Sequence, residues 1–170
     1  MVAVVYSVLW IISSFKLVHW RLWYTYYPTA LYAAIGNLLY EVICDDYPLW
    51  QMEPNGLPNQ TMPEILLIVI GMPLSTLVFL SHFPEQRFIK QLLYIIGFVL
   101  LFLVMEWISV HYGSITYHNG WNLYWSILFD LIMFPLLRIH YRNPLLCLCL
   151  SAVFVAFLSI TFQLTLDKME

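Results

Sequence analysis

Apolar runs long enough to approach the thickness of a bilayer recur along this chain almost from end to end, separated only by short polar or proline-rich stretches. A helix rises 1.5 Å per residue, so a hydrocarbon core of about 30 Å takes about 20 helical residues. Against that length the runs are 2–15, 28–44, 65–83, 88–109, 121–137 and 144–166. The expected fold is all-α, a single polytopic transmembrane helix bundle over residues 1–170 with about six spans. The first run is short. It either extends to about Leu22 with Lys16 and Arg21 snorkelling, or lies at the interface and leaves five spans. It has neither the basic start nor the small-residue cleavage site of a signal peptide, so it is read as a retained helix.

Composition leaves no room for a soluble catalytic module. Charged residues make up 10% of the chain and hydrophobic ones 62%, whereas soluble domains carry about 25% charge. The net charge of −3 and the dispersed basic residues exclude a nucleic-acid surface. Cys44, Cys147 and Cys149 form no C-x-x-C pair and are read as buried apolar thiols, with Cys147 and Cys149 roughly 200° apart around a helix. Helix and loop punctuation agrees with the runs. Pro28 and Pro144 sit where a first-turn proline is tolerated, and Pro48, Pro54, Pro58 and Pro63 crowd one long loop, 45–63, expected to be irregular.

Orientation follows from charge. Lys16 and Arg21 follow the first span, Arg87 and Lys90 the third, Arg138 and Arg142 the fifth, while the other side holds only Lys168. This bias places both termini outside the cytoplasm. Trp20, Trp23, Tyr24, Tyr26 and Tyr27 are expected to ring the cytoplasmic interface, and Trp50, Trp107 and Trp121 the other.

Three acids, Glu41, Glu106 and Asp130, fall inside the expected spans, where each costs about 2.5 kcal/mol or more near a helix centre. Glu41 and Glu106 lie near the outer ends of their spans, and Asp130 lies about 14 Å in from Trp121 at 1.5 Å per residue. Asn37 precedes Glu41 by four residues and Ser126 precedes Asp130 by four, which puts each pair on one helix face. Pro73 and Pro135 remove amides that would bond the carbonyls of Val69 and Leu131, and helix breaks of this kind point to a polar cavity among spans two to five. Asn37, Glu41, Glu106 and Asp130 are therefore the expected ligand-binding residues. His111 and His118 match no metal spacing and are read as surface histidines, so neither a metal nor a cofactor is expected. No G-x-S-x-G, H-E-x-x-H, P-loop or G-x-G-x-x-G occurs.

Two stretches, 27–41 (YPTALYAAIGNLLYE) and 106–144 (EWISVHYGSITYHNGWNLYWSILFDLIMFPLLRIHYRNP), resemble small multi-spanning membrane proteins of unknown function from spore-forming Bacillus and Clostridium relatives. The resemblance rests on a P-T opening and G-N-x-x-Y in the second span, then E-W, G-x-x-x-Y and N-G-W before the fifth, over about a third of the chain. It implies a bacterial cytoplasmic membrane and no chemistry. The first expectation is a non-enzymatic binding, transport-like or accessory subunit with an outward-facing acidic cavity. The alternatives are an intramembrane enzyme using Asp130 or Glu106 as general acid on a lipid or isoprenoid, and a structural scaffold. Expected partners are the bilayer and a second copy or another membrane protein.

Overall fold

The computed structural model describes residues 1–164 and is mostly helical, 76% of the chain. Four helices are each long and apolar enough to cross a membrane: Thr61–Ser81, Phe88–His111, Leu123–Arg142 and Pro144–Phe162. Val2–Leu17 and Trp20–Ile43 pass that test only together, across a bend of 91°. The described residues thus hold four to five candidate spans. The difference from six runs arises in residues 2–43. There α1 (Val2–Leu17) has only 16 residues, and α2 (Trp23–Ile43) is diluted by tyrosines, Asn37 and Glu41.

The ends of α1 nevertheless meet opposite ends of the bundle. The Met1 ammonium donates to the carbonyl and to Oδ1 of Asn55, while the His19 amide donates to Ser81 Oγ at 3.2 Å. Between them Tyr6 donates to the Met105 carbonyl and Trp10 packs on Phe102. The helix stops at Leu17 because Val18 turns extended (φ −80°, ψ 133°), and a 3-10 turn, Trp20–Leu22, leads into α2. Pro28 lies inside α2 instead of opening it. Its missing N–H releases the Tyr24 carbonyl close to the helix start, where the loss is confined to one turn.

The third run is one helix in three parts, α3 (Thr61–Leu66), a π turn (Leu67–Gly71) and α4 (Met72–Ser81). A π turn directly ahead of Pro73 relocates the carbonyls that the ring would otherwise orphan, so the span continues past the proline. Every residue of α4 from Ser75 to Ser81 is buried, as suits a helix apolar on all sides. It packs against α1 and α2. Its Phe79, 0% exposed, meets Phe83, Tyr94, Phe98 and Phe134 at ring-centroid distances of 5.1 to 5.6 Å. This aromatic centre joins α4 to α5 (Phe88–His111) and α6 (Leu123–Arg142). Pro135 lies within α6, which continues as one helix to Arg142. Asn143 ends α6 and caps α7 (Pro144–Phe162), its side chain accepting from the Leu146 amide at 3.1 Å.

Loop 45–63 is not wholly irregular. It contributes β1 (Trp50–Met52), which pairs antiparallel with β2 (Ile115–Tyr117) in the register Trp50 with Tyr117 and Met52 with Ile115. The two loops at this end are thereby tied together. Two of the expected interfacial aromatics turn inward instead: Tyr26 packs on Tyr141, and Trp121 is buried against Phe162. Cys44 and Cys147 are buried as expected, but Cys149 is exposed, because α7 shows most of its surface outward. Residues 165 and 166 of the last run, and Lys168, lie outside the described residues.

Candidate functional site

At the strand-capped end a cavity of about 180 Å³ lies between the last turn of α2, β1 and the first turn of α3. Glu41, Asp45 and Glu64 line it together with Tyr40 and Trp50, and no Lys or Arg does. That volume matches about six water molecules, at about 30 Å³ each, or one small organic molecule. Tyr40 shapes the wall. Its hydroxyl accepts from the amides of Leu49 and Trp50 at 3.0 and 2.9 Å and donates to the Trp50 carbonyl at 2.6 Å. Its ring lies parallel to Trp50, centroids 4.9 Å apart and planes 2° apart. One phenol thus holds the approach to β1 against the end of α2.

Glu41 stands among like charges, with Glu64 and Asp45 acting on it. Its Oε1 is wholly buried and has no hydrogen-bond donor among the described residues, and the same holds for Asn37 Oδ1 one turn earlier on α2. Two acceptors on one helix face are left unsatisfied by the protein, an arrangement that buried polar groups rarely tolerate.

Glu106 and Asp130 belong to a second group, between α5 and α6. Glu106 Oε1 accepts from the Tyr117 hydroxyl at 2.6 Å and from the Ser126 hydroxyl. Ser126 Oγ in turn accepts from Trp121 Nε1 at 3.0 Å. Burial, and next the Glu106 carboxyl at hydrogen-bond distance, push the Tyr117 hydroxyl above its ordinary range and keep it a donor. Asp130 is 7% exposed, one turn along α6 from Ser126, and Glu106 is the charge that acts on it.

The four expected ligand-binding residues therefore fall into two sets. Asn37 and Glu41 share a face of α2, and Glu106 and Asp130 share the α5–α6 contact. Glu41 alone among them lines the cavity, which sits at the rim, where the end of α2 meets β1 and the start of α3. Glu64, Asp45, Tyr40 and Trp50 were not expected at a site. Glu64 falls just ahead of the apolar run that begins at residue 65, beside Pro63, and only the placement of the first turn of α3 across the cavity from the end of α2 gives it a role. His111 and His118 are exposed as expected, His111 stacked on Trp107 and His118 bonded to Thr116. Among the described residues no three His, Cys, Asp or Glu side chains converge as a metal ion would require.

At the opposite end Glu85 takes Arg138 on both carboxylate oxygens at 2.6 Å and also pairs with Arg142. What burial Glu85 has pushes its carboxyl upward, but the hydrogen bonds and charges of the two arginines outweigh it and hold the group below its usual range. Arg138 also lies over the rings of Phe83 and Tyr141, at 4.6 and 5.2 Å. In comparisons with known families, curated proteins and solved structures, nothing matches this chain.

Proposed function

We propose that this is a non-enzymatic protein of a bacterial cytoplasmic membrane, with six spans and both termini outside, whose cavity at the outer face binds a small organic cation as a binding, transport-like or accessory subunit. The observation that carries the reading is Glu41, which lines the cavity beside Asp45 and Glu64 with a buried oxygen that no described donor satisfies. An ammonium or guanidinium group would offset the cost of that arrangement with a charge-assisted hydrogen bond. The Tyr40–Trp50 wall suits an organic cation by cation–π attraction, and the lack of three convergent metal ligands among the described residues points away from a bare metal ion. Six spans are supported by the contacts of α1 at both ends of the bundle. The outward orientation is supported by Lys16, Arg21, Arg87, Lys90, Arg138 and Arg142, which all lie in or beside the helix turns remote from the cavity.

Calorimetry on detergent-purified protein tests the reading with methylammonium, guanidinium and magnesium as probes. The organic cations should bind, and Glu41→Gln should weaken them about tenfold, the worth of one charge-assisted hydrogen bond. Absence of binding by every cation, or binding indifferent to Glu41→Gln, removes the proposal. The enzymatic alternative is favoured by one observation, the buried Asp130 beside Glu106. Against it, Glu106 Oε1 already accepts two hydrogen bonds from the protein, which suits a fixed tie between helices better than a proton donor to substrate.

A further inference from the structure

The turn between α1 and α2 forms an open groove of about 550 Å³ lined by Val18, His19, Trp20, Arg21 and Leu22. Its position is fixed on both sides. The His19 amide bonds Ser81 Oγ and the His19 ring packs on His82 with centroids 4.8 Å apart, while Trp20 Nε1 donates to the Ser14 carbonyl at 3.0 Å. Around the groove Phe15, Trp20, Leu22, Trp23, Tyr24 and Tyr27 are exposed. Exposed tryptophan and tyrosine in an otherwise apolar protein settle at headgroup depth, so the elbow lies in the interface and not in bulk water or hydrocarbon.

Charge at this end is unbalanced. No Asp or Glu occurs before Glu41. Arg138 and Arg142 both pair with Glu85, and no ion pair involves Lys16, Arg21, Arg87 or Lys90 among the described residues. Arg21 is thus a cation without an acidic partner, set among apolar walls at headgroup depth. Those walls suit an amphiphile: a phosphodiester on the guanidinium, where planar bidentate bonding is available, and the glycerol and upper acyl chain along Val18, Trp20 and Leu22.

We infer that the elbow between α1 and α2 binds the headgroup of an anionic phospholipid, with Arg21 as the phosphate ligand and Lys16 adding attraction from the last turn of α1. A site of this kind also accounts for the break in the helix. Extending α1 straight through residues 18 to 22 would carry Arg21 away from the rim, whereas the bend of 91° holds it there.

The test uses the full-length protein in nanodiscs, which expose both membrane faces and so make the result independent of orientation. Discs of phosphatidylcholine alone are compared with an equimolar mixture of phosphatidylcholine and phosphatidylglycerol, and lipid retained on the protein is read by native mass spectrometry. Phosphatidylglycerol should be retained in preference, Arg21→Gln should weaken that retention about fivefold, given about 1 kcal/mol per basic residue at an anionic surface, and Arg21→Lys, which keeps the charge but loses the planar bidentate fork, should weaken it about twofold. Arg87→Gln should leave it unchanged. Circular dichroism of each variant in phosphatidylcholine establishes that the helices are intact, and Arg21→Lys carries the comparison if Arg21→Gln unfolds. Equal retention of both lipids overturns the inference. So does an equal loss in Arg87→Gln, which would mean diffuse attraction, or displacement by inorganic phosphate, which would mean a site for free anions.

Discussion

Ser126 ties two helices and a loop through a single hydroxyl, donating to Glu106 on α5 and accepting from Trp121 ahead of α6. Ser126→Ala leaves Trp121 Nε1 without its acceptor and Glu106 with Tyr117 as its remaining donor. Interhelical hydrogen bonds in membranes average about 0.6 kcal/mol and reach about 1.7, so with two bonds lost a destabilisation of about 1 kcal/mol is expected. Thermal unfolding in detergent measures it, with Ser126→Thr losing less because the hydroxyl is kept. An unchanged midpoint in Ser126→Ala would show that the tie carries no stability. At this scale the sequence was informative about faces and silent about partners. The four-residue spacings that join Asn37 to Glu41 and Ser126 to Asp130 are properties of one helix and hold in the structure. That Glu106 would take Ser126 and Tyr117, and Glu41 would meet Glu64, depends on how separate helices pack, and no spacing along the chain encodes that.

The strand pair is the element the apolar pattern could not announce. Three residues on each side make a ladder that is marginal alone, and it stands because Tyr40 fixes one strand to α2 and Tyr117 fixes the other to Glu106. Tyr40→Phe keeps the ring stacking on Trp50 but removes the acceptor used by the amides of Leu49 and Trp50. Amide exchange at those two residues should accelerate about tenfold, the equivalent of one lost hydrogen bond, with little change in the helices. Protection equal to wild type would mean that the strand is held by its ladder and not by the phenol. The same scale holds the one helix break that proline predicted well. Pro73 follows a π turn, whereas Pro135 is absorbed within a continuous α6. A proline sets the loss of one amide; the neighbours decide whether the backbone rewinds around it.

For the whole molecule, the cavity and the basic groups lie at opposite ends, and that separation makes orientation testable. After replacement of the three native cysteines, Asn55→Cys and His118→Cys in intact cells should react with an impermeant thiol reagent, while Gln86→Cys and His19→Cys should not. Reaction at Gln86 would reverse the orientation, and reaction at His19 alone would mean that α1 does not cross. The class of the protein, the approximate limits of its helices after the first turn of the chain, and the concentration of Lys and Arg at one end were all determined by the sequence itself. Transfer of apolar residues into hydrocarbon sums along a segment, and charge acts on each segment end locally, so neither needs knowledge of the fold. Tertiary structure alone decided that α1 breaks into α2 at an angle, that two loops pair as strands, and that the acids divide between a rim cavity and a closed interhelical tie. These depend on contacts between residues far apart in the chain, where geometry and satisfaction of buried polar groups select one packing among many that the same apolar pattern allows.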